Sequence, residues 1–222
     1  MPKLTGFRPS SFDSIPLGPG VAVANVTSIT PANVLAAIRG DETAGRRLGA
    51  MTAAPSFSAE PEIVDLMENI VGAGGAVKGS KQVQSVAATA TISLAELSHD
   101  NLHLIHPMLD QSDWTGESPD GGTTPGAVVG QKFTPRAYFE DTDYTDNIVL
   151  AMESARQDIF SLIVLKNVLN TEAFELSLED DGAVAGIEAT LTAHATDADF
   201  DPTTGAFAPG YEIYIADLEP VA

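Results

Sequence analysis

Residues 173–194 read AFELSLEDDGAVAGIEATLTAH. Phe174, Leu176 and Leu178 alternate with Glu175, Ser177 and Glu179; beyond Asp181–Gly182, Ile187, Ala189 and Leu191 alternate with Glu188, Thr190 and Thr192. A period of two places successive side chains on opposite faces of a strand. Asp-Gly supplies the backbone freedom that a tight hairpin turn needs. The stretch therefore predicts an antiparallel hairpin with its apolar set in a core and Glu175, Ser177, Glu179, Glu188, Thr190 and Thr192 on the wet face.

Working outward, the pattern stays mostly β. Val149–Met152 and Ile159–Leu165 are apolar runs suited to buried strands, and Tyr211, Ile213 and Ile215 alternate in a last one. Val21–Val26 and Gln82–Leu94 have strand character, with a weaker alternation over 55–68 and a glycine-rich turn, Gly72–Gly79, between. Two short helices interrupt the strands. Thr30–Pro31 forms an N-cap and first-turn pair, followed by Val34, Leu35 and Ile38 at helical spacing and Gly40 as the stop. Ser98 caps a second helix running to His106, with Asp100 in its first turn and Pro107 after it. The fold class predicted is mainly β: an antiparallel β-sandwich or barrel with one or two short flanking helices and long loops. Residues 1–20 form an extended Pro/Gly/Ser-rich arm, residues 21–222 one domain, and Met108–Lys132 a long irregular loop of the kind that serves neighbours.

The charge is one-sided. Asp plus Glu number 31 against 11 Lys plus Arg, a net charge of −20. Such a chain does not bind nucleic acid by neutralising phosphates, nor an anionic membrane by basic residues. All the Lys and Arg lie at or before Lys166, while residues 167–222 hold twelve acids. Without cysteine, thiolate catalysis, disulfides and Cys-ligated metal are excluded. The longest apolar run, Ile159–Leu165, is seven residues with Ser161 inside it, too short to span a bilayer, and the first twenty residues hold no apolar export segment. Assembly in a cytoplasm is the expectation.

Motifs that carry chemistry fall short. His99, His103 and His106 share a helical face at offsets that suit zinc, but the helix is short, the face lacks a fourth ligand, and the dipole of the last turn alone favours imidazoles there. Gly74–Lys81 (GGAVKGSK) nearly imitates a phosphate loop, yet its lysine comes one place late and a strand pattern follows. Asp197, Asp199 and Asp201 open like a calcium loop, but Pro202 and Ala208 stand where Gly and Glu are needed. There is no G-x-S-x-G elbow. The expectation is a protein that is not an enzyme, with no cofactor and no bound metal.

Residues 143–194, with LKNVLN (165–170), FELSLEDDG (174–182) and GIEATLTAH (186–194), resemble the C-terminal half of the major tail, or tail-tube, proteins of long-tailed bacteriophages. ATISLAELSHDNLHLI (90–105) resembles the strand and helix that precede it there, and together the two stretches cover about a third of the chain. The resemblance implies a virion tail protein whose subunits form stacked, hexameric rings: a tube around the tape-measure protein and then DNA, bounded by tail-terminator and baseplate proteins. DNA would pass without specific binding, and the six wet-face residues of the hairpin would be candidates to face the lumen. The competing expectation is a β-sandwich decoration or host-surface-binding module of a phage or secretion system, for which the acidity serves solubility alone.

Overall fold

The computed structural model describes residues 20–66, 78–96, 98–116, 128–153, 159–173, 186–196, 199–201, 203 and 206–217. Among the described residues eight antiparallel strands make the main sheet. In chain order they are β1 (Val21–Ala24), β2 (Arg46–Arg47), β3 (Met51–Asp65) and β4 (Lys81–Leu94), then β7 (Thr145–Glu153), β8 (Ile159–Asn170), β9 (Ile187–Ala193) and β12 (Tyr211–Asp217). Their spatial order is β2-β1-β7-β8-β9-β4-β3, with β12 also on β8. Two small hairpins lie apart: β5 (Leu109–Thr115) with β6 (Val128–Pro135), and β10 (Phe200–Asp201) with β11 (Ala206–Phe207). The two helices are α1 (Pro31–Ile38) and α2 (His99–Ile105).

The fold turns on β8. One edge pairs with β7, while the other is shared: β12 runs beside Ile159–Leu165 and β9 beside Val168–Asn170. Asn167 marks the change of partner with a left-handed φ of 46°, a conformation that asparagine tolerates better than most residues. Its amide donates to the His194 carbonyl (3.2 Å), and Lys166 N–H turns to the Gly210 carbonyl (2.7 Å). Because of this irregularity Leu165 and Val168, three residues apart, enter the same core.

From the fork the sheet folds over itself without closing into a barrel. Ala22, Ile148, Leu150 and Leu165 of one half meet Ile92, Leu94, Ile187 and Leu191 of the other, with Leu104 and Ile105 of α2 beside them. On the outer side of β1, β7 and β8, α1 packs Val34 and Ala37 onto Val23, Val149, Leu162 and Val164. Strand β7 is thus buried on both faces, which is why Ile148 to Ala151 is continuously apolar.

The predicted mainly-β sandwich with two short helices is the fold observed. Thr30 caps α1 by accepting from Asn33 N–H (3.3 Å), and Ser98 caps α2 by accepting from Asn101 N–H (3.2 Å). Four details differ. The first strand stops at Ala24 because Asn25 turns left-handed, φ 53°. Helix α2 ends at Ile105, since His106 has left helical dihedrals. Of the 55–68 region, residues 55–65 belong to the fifteen-residue β3, Leu66 is in a turn, and 67–68 lie outside the described residues. The stretch expected as a structureless loop is strand over Leu109–Thr115 and again from Val128. Trp114 lies over Gly130, its Cε3 3.2 Å from where a Cβ would stand, so a ring fills the gap that glycine leaves between the strands. Residues 1–19 of the arm, the first arm and turn of the 173–194 hairpin (174–185), and most of the glycine-rich turn (67–77) lie outside the described residues.

Candidate interaction surfaces

The second arm of the quoted hairpin, β9, keeps its predicted alternation: Ile187, Ala189 and Leu191 are buried, Glu188 is exposed, and Thr190 and Thr192 are half-buried. Glu175, Ser177 and Glu179 lie outside the described residues. Pairing extends the β9 face across its neighbours. Ser93, Thr91 and Thr89 of β4 stand opposite Glu188, Thr190 and Thr192. Ser56 and Ser58 of β3 stand opposite Thr91 and Thr89, with Glu60 and Glu62 farther along. The outer face of β9-β4-β3 is therefore a sheet of hydroxyls and carboxylates carrying no lysine or arginine among these positions. The Ser85 hydroxyl donates to Glu62 Oε2 (2.9 Å). Sequence reading missed the β3 and β4 members of this face. Alanine dilutes the alternation of β4, and only the register aligns the strands.

His99 and His103 each lie near a different carboxylate. The His99 imidazole sits 2.9 Å from Asp100, while His103 Nε2 lies 4.0 Å from Asp143. Among the described residues no three His, Cys, Asp or Glu side chains form a metal-binding group. Asp199 accepts from the Thr196 N–H and hydroxyl, both at 2.8 Å. These bonds hold its carboxyl below the usual range and describe a polar turn; Asp197 lies outside the described residues. Lys81 of the phosphate-loop lookalike begins β4 opposite Asp65, with a strand after it.

A groove of about 600 Å³ runs between Ile38, Glu42, Arg46, Arg47 and Glu96. Its charges are spoken for in part: Arg46 donates to Asn101 Oδ1 (2.8 Å), and Glu96 accepts from Ala50 N–H (3.0 Å). Burial pulls the Arg46 guanidinium below the ordinary arginine range, with Asp100 opposing the shift.

Arg136, immediately after β6, fastens the base of the β5–β6 hairpin. Its guanidinium reaches Asp110 (3.0 Å), Glu140 (3.1 Å) and the fully buried Asp143, whose other oxygen accepts from Glu140 N–H (2.7 Å). The bond to Asp143 chiefly raises the Arg136 pKa further. Tyr138 lies under the guanidinium at 5.7 Å.

Among the described residues three strands, β2, β3 and β12, each leave an edge without a partner, and they are built differently. Strand β2 is only two residues long. Strand β3 carries Pro55, Pro61, Glu60, Glu62 and irregular register, all devices that discourage edge pairing. Strand β12 carries no proline and no lysine, its charges being Glu212 and Asp217, and among the described residues it pairs only with β8. Its Ile213, Tyr214 and Ile215 are exposed, the last at 74%. No protein-family model matches the chain, and none of the curated proteins compared with it does.

Proposed function

We propose that the chain is a structural subunit that polymerises as stacked rings, six copies to a ring, into a phage-type tail tube through which DNA is ejected. The observation that carries this reading is the outer face of β9-β4-β3, where Glu60, Glu62 and Glu188 stand among serines and threonines, and the one lysine of these three strands, Lys81, lies at the start of β4 opposite Asp65. A wall that lets a polyanion slide must offer hydroxyls and negative charge, because fixed lysines or arginines would hold phosphates by releasing counterions. Repeated around a ring, each of these carboxylates becomes a negative band. The resemblance of 90–105 and 143–194 to tail-tube proteins and the antiparallel sandwich agree with the reading, and the unguarded β12 edge suits a protein that assembles. On this reading the subunit belongs to the virion tail, with the tape-measure, tail-terminator and baseplate proteins as partners.

Replacing Glu60, Glu62 and Glu188 together by Lys tests it. All three are exposed, so the subunit should fold and assemble, and the tubes should retain DNA, with retention falling as salt rises. Normal ejection by phage carrying the three lysines would mean that this face does not line the bore.

A further inference from the structure

Two features of the structure each lack what the other supplies. The β5–β6 hairpin is a two-stranded sheet, and such a ribbon is marginal in water without a third strand or a packing partner. It is fastened at its base by Arg136, while farther out Trp114 is 52% exposed and Val128 is exposed as well. Strand β12, in turn, leaves one edge without a partner among the described residues and exposes isoleucine and tyrosine along it. The lengths agree: seven residues in β12, eight in β6.

We infer that β6 of one copy adds to the open edge of β12 in the next, extending the main sheet of one subunit with the hairpin of its neighbour. Charge selects β6 over β5. The only charged residue of β6 is the exposed Lys132, whereas β5 presents Asp110 and Asp113. The receiving strand β12 carries Glu212, paired with Lys166 of β8, and Asp217, with no lysine or arginine of its own. Opposite charge steers such an encounter, and the apolar side chains of the two strands supply burial once they meet. The contact joins two different surfaces, so it propagates from copy to copy and closes into a ring when the rotation allows. This inference rests on the reading of the chain as a self-assembling subunit.

The absence of cysteine makes single-cysteine chains clean probes. Gln131→Cys and Ile215→Cys chains, which keep Lys132, mixed at high concentration and treated with a short bis-maleimide, should give a mixed dimer in excess of either self-dimer. Adding Ile213→Lys to the second chain should abolish that product. Because Ile213 is exposed, its circular dichroism and thermal midpoint should stay unchanged. A dominant Ile215→Cys self-dimer would overturn the inference in favour of a two-fold β12 contact, and the lack of any cross-link would overturn it outright. Tubes by electron microscopy without the mixed product refute the β6–β12 joint and leave the tube reading standing. The mixed product without tubes does the reverse.

Discussion

Asn101 is a buried amide with every polar atom engaged: it donates to the Leu48 (2.9 Å) and Glu96 (3.1 Å) carbonyls and accepts from Arg46. It ties α2 to the chain between β2 and β3, and nothing in its sequence setting singles it out. Asn101→Ala strands the buried Leu48 carbonyl and the Arg46 guanidinium, which should cost about 1–3 kcal/mol in urea unfolding; an unchanged midpoint would mean that water replaces the amide. Glu212 is tuned in the other direction. Lys166 first, then the Tyr214 hydroxyl, hold its carboxyl below the usual range. Its pKa is thus lower folded than unfolded. The contribution is present above the unfolded pKa and is lost as pH falls through the folded value. Glu212→Gln should flatten the acid limb of the stability profile. The effect is small, because Lys166 and Glu212 are both more than a third exposed. An acid limb identical to that of the parent would contradict the assignment.

At the scale of elements, the alternation of β9 and the doubly buried β7 were legible because period and hydropathy agree with burial. The two caps were legible because Thr30 and Ser98 stand where a helix needs an acceptor. The fork in β8 was not. The apolar run that marks the strand stops at Leu165, and only the pairing of β12 and β9 along the same edge shows that it continues to Asn170 and that Asn167 changes partner. The β5–β6 hairpin was hidden for another reason. Its strands are mostly polar, with charged residues on both, so they lack the apolar period that marks a half-buried strand. The wet face shows the same limit, since β9 announced its share while the β3 and β4 shares depended on register. Asn167 offers the sharpest element-level test. Asn167→Val forces a β-branched residue into the left-handed region and removes the bond to His194, and should destabilise by about 1–3 kcal/mol. Asn167→Gly should be milder. Equal stability for Val and Gly would mean that backbone strain does not set the fork.

Taken whole, the molecule combines a sandwich able to stand alone with surfaces that a lone molecule has little use for. Its net charge of −20 opposes association, so in a tube the contacts between copies would have to overcome repulsion that salt screens within about 10 Å at 0.1 M. A decoration or host-binding module would use the same acidity for solubility alone and would leave β12 bare. The hydroxyl and carboxylate face, the unguarded edge and the projecting hairpin have a common use in a tube: one faces the passage, and the other two join the copies. Electron microscopy of the purified full-length chain, concentrated at moderate salt, tests this most directly. Hollow tubes or six-fold rings are the predicted result. Dispersed monomers at every concentration and salt, even with added tail-initiation complex, would contradict it.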